Sequence, residues 1–144
     1  MRRFCLLMFT VLATAAIALI PTRPALAIKQ FKDEFDKKYK ISSPTNDAEK
    51  SLAEKVSTAK CNVCHEGTSK KKRNPYGQAL DVYLDRKTDI KDMAKIQDAL
   101  SKVEAEHSKK GDDKSPTFGE LIKQGKLPGG DVAPGAAGGG DDDK

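Results

Sequence analysis

The chain has 144 residues, with 26 Lys and Arg against 21 Asp and Glu and a formal net charge of +5. One domain is expected at this length, and the two signs of charge are interleaved with no basic groove punctuated by aromatic residues, which excludes a dedicated nucleic-acid binder. Three cysteines, no tryptophan and an aromatic content of 6% leave little material for a large hydrophobic core or a disulfide framework.

Met1-Arg2-Arg3 leads into an apolar stretch from Phe4 to Ile20 and then Ala25-Leu26-Ala27, a small-x-small cleavage pattern. Together these read as a secretory signal peptide over residues 1–27. The competing reading is an uncleaved anchor, because the apolar run approaches the length that spans a bilayer. Cys5 lies ahead of most of the apolar core, too early to carry a lipid, and leaves with the signal. Cleavage after Ala27 removes Arg2, Arg3 and Arg23 and no acidic residue, so 23 basic residues face 21 acidic ones and the net charge falls to +2. The mature chain is expected in the periplasm or outside the cell, without stable membrane insertion.

Ile28, Phe31, Phe35 and Tyr39 recur at helical spacing among charged neighbours, and Ser42-Ser43-Pro44 ends the pattern. Asn46 with Glu49 three residues on marks the next helix start, and Leu52, Val56 and Ala59 share the face that approaches Cys61. The segment Gly67–Gly77 holds Lys70-Lys71-Lys72-Arg73 and Asn74-Pro75, which predicts an exposed loop with a turn at Asn-Pro. Helix is expected again through Tyr76, Leu80, Tyr83 and Leu84. A longer one is expected from about Asp89 to His107, on the face Ile90, Met93, Ile96, Leu100 and Val103. Lys109–Pro116 is a polar break, Thr117–Ile122 a short last helix, and Gly125 its stop. Residues 129–144, rich in Gly, Ala and Asp, are expected to be a disordered tail. No internal repeat or strand alternation is visible, so the fold class is all-α, with one helical domain over 28–128.

Cys61-Asn62-Val63-Cys64-His65 is a C-x-x-C-H pentapeptide, the signature of c-type haem attachment. Two thiols at this spacing can each add to one vinyl group of haem, and the histidine that follows can place its imidazole on the iron. Attachment after export agrees with the signal peptide, and a buried porphyrin would supply core that the sequence lacks. A thioredoxin-like dithiol would need a βαβ context, which is missing. A structural zinc site would need four ligands where only Cys61, Cys64, His65 and His107 remain, two of them adjacent. Cys61 and Cys64 as a disulfide would close too small a ring to remove much chain entropy.

With this motif reached from a helix and followed by Arg73-Asn74-Pro75-Tyr76-Gly77, the chain resembles the small monohaem cytochrome c domains of bacteria over Ala48 to about Leu84. The resemblance implies a helical fold wrapped around one covalent haem c, electron transfer rather than enzyme catalysis, and His65 as proximal iron ligand. Members of that family commonly place a methionine on the far side of the iron, some forty or more residues after the histidine. Here the one mature methionine is Met93, twenty-eight residues after His65 on an apolar helix face, where the plainer role is core packing. His107, forty-two residues on, is the other candidate, and its plainer role is a solvated helix end. The sixth ligand is therefore Met93, His107 or neither. A six-coordinate iron suits single-electron transfer, whereas an open position suits a small-ligand sensor or weak peroxidase. Lys70–Arg73 could rim the haem edge and steer an acidic redox partner, or be a solvated loop. No acid, base and nucleophile set is recognisable, so no catalytic residue is assigned.

Overall fold

Helix α1 (Lys29–Lys38) turns Phe35 inward to 1% exposure and closes with Lys37 and Lys38, whose charge complements the carbonyl end of a helix. The computed structural model describes residues 29–132; the expected signal segment and the tail beyond residue 132 lie outside them. Helix α2 (Asp47–Ala59) is capped by Asn46, whose side chain accepts from the Glu49 amide. The Glu49 carboxylate accepts from the backbone N–H and hydroxyl of Thr45, which fastens the chain entering the helix. Leu52, Val56 and Ala59 are each about 1% exposed, the face expected from their spacing.

A 3-10 turn, Lys60–Val63, follows directly, with Lys60 in the left-handed region at φ +50°. The chain then departs from the all-helical expectation. Strand β1 (His65–Glu66) pairs antiparallel with β2 (Ser69–Arg73), with His65 opposite Arg73, Glu66 opposite Ser69 and an irregularity in register between them. The segment expected as a loop is thus a short ribbon turning at Gly67, whose φ is +71°. Three successive lysines give no alternation and little strand propensity, so nothing local announces it.

Helix α3 (Pro75–Tyr83) begins with Asn74 as N-cap and Pro75 in its first turn, where a missing N–H costs nothing. Helix α4 (Met93–Glu104) is shorter than expected. Asp92 caps it, and Ile90 falls in the preceding turn, where the Asp89 carboxylate accepts from the Asp85 amide. Met93 is 37% exposed, so the expected core role fails for it, while Ile96, Leu100 and Val103 are fully buried. Helix α5 (Phe118–Lys123) starts with a reciprocal capping box between Thr117 and Glu120.

The interior is filled by the chain's own side chains. Tyr39, Phe35, Tyr76 and Phe118 form a continuous aromatic row with successive ring centroids 4.6, 5.9 and 5.3 Å apart. Each fully buried large side chain contributes roughly 1.5–3 kcal/mol of transfer free energy. Helix α4 packs on α1, α3 and α5, and Tyr39 donates to the Glu104 carboxylate at 2.8 Å. The chain stays packed past residue 128. Pro128 is fully buried, and Val132 rests on the core, beyond the domain boundary expected from composition.

Candidate functional site

The pentapeptide bends because α2 ends at Ala59 and Lys60 reverses the chain, so Cys61 stands exposed on the 3-10 turn and Cys64 closes it. Val63 turns into the core at 2% exposure, and Cys64 packs half-buried against the same cluster. His65 opens β1, half-buried, with its Nδ1 enclosed and without a hydrogen-bond partner.

Four carbonyls of this loop are satisfied from one residue. Asn74 is 5% exposed, and its Nδ2 lies 3.1 Å from the carbonyl of Asn62, 3.0 Å from that of Val63 and 3.4 Å from that of His65. Its own amide donates to the Cys64 carbonyl at 3.2 Å, and its Oδ1 accepts from the Gly77 amide at 2.9 Å. In the sequence, Arg73–Gly77 carries part of the family resemblance and Asn74-Pro75 marks an expected turn. Asn74 as a hub between two segments is a tertiary feature, with the Asn at a helix start as its one local signal.

Burial pushes the Cys64 thiol up to about 12. A protonated, enclosed thiol suits neither fast disulfide exchange nor a zinc thiolate, both of which need the anion. A thioether carries no proton, so the finished linkage tolerates burial, while forming it requires the Cys64 sulfur to leave its packing. Burial and then the Arg73 guanidinium hold the His65 imidazole below its ordinary value, which keeps it neutral and able to donate a lone pair near pH 7. An exposed thiol, a buried apolar thiol and a neutral imidazole with an unpartnered nitrogen make a donor set that fits covalent haem.

The buried cluster around the motif is formed by the chain's own side chains. Of the surface hollows, one of about 340 Å³ is lined by Asp33, Asp36 and Lys40 and another of about 270 Å³ by Asp81, Asp85 and Lys95, and none of the three motif side chains lines either. Among the described residues no three His, Cys, Asp or Glu side chains gather as a metal cage. Met93 opens α4 at the surface, and His107 lies beyond its other end with Nδ1 2.6 Å from the Ser115 carbonyl. A helix of this length separates them by about 18 Å, too far to serve one iron together.

The basic run is partly neutralised: Lys72 pairs with Glu66 at 3.1 Å and Arg73 with Asp81 at 2.8 Å. Among the described residues no helix is long and apolar enough to cross a membrane. In comparisons with protein-family models, curated proteins and solved structures, nothing matches this chain.

Proposed function

We propose that the chain is an exported monohaem c-type cytochrome that passes single electrons between redox proteins outside the cytoplasm. The reading rests on one observation above the others. Asn74 engages the carbonyls of Asn62, Val63, Cys64 and His65, while Cys61 is exposed and the enclosed Nδ1 of His65 has no hydrogen-bond partner. In this reading Cys61 and Cys64 would hold the haem through thioethers and His65 would bind its iron. The iron supplies the one-electron couple.

The chain's own residues set how that group is held. Asn74 fixes the carbonyls of Asn62–His65, and Gly77 lets α3 approach Cys64. With Lys72 and Arg73 tied to Glu66 and Asp81, long-range steering of an acidic partner is weaker than four bare charges would give. A second reading, a small-ligand sensor or weak peroxidase with an open sixth position, is favoured by the exposure of Met93 and by the engagement of His107 with Ser115.

The test is expression with a c-type maturation system, haem staining after denaturing electrophoresis, and oxidised and reduced spectra with and without carbon monoxide. Covalent haem with a low-spin spectrum indifferent to carbon monoxide is the expected result. A high-spin spectrum that shifts with carbon monoxide selects the second reading. No covalent haem, beside a control cytochrome that matures, overturns both.

A further inference from the structure

We infer that Asn74 is the positioning residue of the attachment loop, setting the backbone of Cys61–His65 before any haem is added; the role in attachment rests on the reading above. Four consecutive carbonyls, those of Asn62, Val63, Cys64 and His65, converge on this one residue at 3.0–3.4 Å. The two hydrogens of its side-chain amide are shared among three of them, and its backbone N–H takes the fourth. The carboxamide cannot turn away. Its Oδ1 is held by the Gly77 amide, and a Cβ built on Gly129 would stand 2.0 Å from Nδ2, so the C-terminal strap closes over it from the far side.

That strap is itself anchored, because the Gly125 carbonyl accepts from Ser51 and Lys55 on α2, the helix that delivers the cysteines. Loop, α3, strap and α2 therefore lock around Asn74. Attachment requires two thiols and an imidazole to meet one porphyrin together. With the backbone fixed beforehand, only the Cys64 side chain has to leave its apolar packing for the three groups to meet.

Only asparagine fits this role. Aspartate keeps the acceptor for Gly77 but turns a carboxylate toward three carbonyl oxygens, and alanine leaves those carbonyls unsatisfied.

Two readouts test the inference. The first is amide hydrogen exchange by NMR on the full chain made without haem maturation and kept reduced. The amide of residue 74, which donates to the Cys64 carbonyl, and the Cys64 amide, which closes the loop on the Cys61 carbonyl at 3.2 Å, should exchange on the order of 100-fold more slowly than free amides. In Asn74→Asp that protection should vanish while the Gly77 amide keeps its own. The second is haem attached per folded molecule after maturation, expected to fall about tenfold in Asn74→Asp. Asn46→Ala removes the α2 cap and lowers Tm without touching the loop, and it should retain native attachment.

Unprotected loop amides in the native haem-free chain would overturn the inference, and this needs no variant to fold. Equal loss of haem in both variants would also overturn it, by reducing Asn74 to general stability. If the native chain takes no haem at all, the cytochrome reading falls, and amide protection alone decides whether Asn74 sets the loop.

Discussion

A Cβ built on Gly77 would stand 2.0 Å from the carbonyl oxygen of Cys64, so the first turn of α3 and the second cysteine of the pentapeptide are in direct backbone contact. Gly77→Ala must push α3 off the loop and should cost about 2–4 kcal/mol. Gly67, in the ribbon turn at φ +71°, has nothing within 4 Å of its built Cβ, so Gly67→Ala should cost only about 1–2 kcal/mol of left-handed strain. Urea midpoints of the two variants check this; equal losses would mean that the close approach to Cys64 is not what requires Gly77.

Lys60 holds φ +50° and ψ −115° immediately before Cys61, a conformation that a residue with a Cβ adopts only under strain. Lys60→Gly should stabilise the haem-free chain by about 1 kcal/mol, since relief of that strain outweighs the extra freedom glycine has when unfolded. Thermal denaturation would show a higher Tm, and a lower one would contradict the strained turn.

Tyr76 is 0% exposed between Phe35 and Phe118, and its hydroxyl faces that of Tyr39 without a hydrogen bond of ordinary length. Removing an unsatisfied buried polar atom while keeping the ring is neutral or favourable. Tyr76→Phe should therefore leave stability unchanged or raise it by up to about 1 kcal/mol. A loss of that size would instead reveal a partner for the hydroxyl.

Burial raises the Cys64 thiol from 9.0 to about 12, whereas Cys61 faces solvent. In the reduced, haem-free chain, alkylation at pH 8 should modify Cys61 first. Cys64 should react roughly a thousandfold more slowly than a thiol at its ordinary pKa, the factor set by three units of thiolate population. Mass spectrometry of the singly modified species checks the order, and comparable rates would place Cys64 outside the apolar packing.

Asp89 is held down to about 2 by its hydrogen bond to Lys95, by the Asp85 amide and by Thr88. A carboxylate with a depressed folded pKa stabilises the fold fully above its unfolded value of 3.8, and that contribution is lost as pH falls from about 4 through about 2. Asp89→Asn should lower stability near pH 7 and flatten the dependence on pH in that acid window. Melting curves from pH 2 to 7 would show it, and parallel profiles for native and variant would refute it.

Helical periodicity made much of the framework legible. Leu52, Val56 and Ala59, and separately Ile96, Leu100 and Val103, lie inside as their spacing requires. Asn46 and Thr117 cap the helices expected to follow them. Ile90 and Met93 extended the same pattern, yet Ile90 falls in a turn stapled by Asp89, and Met93 begins α4 at the surface, because a local cap at Asp92 outweighs two apolar positions. The ribbon was invisible for a different reason: its pairing is tied shut by the bond from the Asn74 amide to the Cys64 carbonyl, a contact that lysine-rich strands do not encode locally.

What the sequence by itself determined is the chemistry on offer: an apolar N-terminal stretch, two thiols and an imidazole at C-x-x-C-H spacing, and helix faces read from side-chain periodicity and capping, all of which act over a few residues. Only the tertiary structure decided that the core closes on its own aromatic row, that the strap at Gly129 covers Asn74, and that four loop carbonyls converge on that residue. Those are contacts between segments distant along the chain, where close packing and the need to satisfy every buried polar group set the outcome.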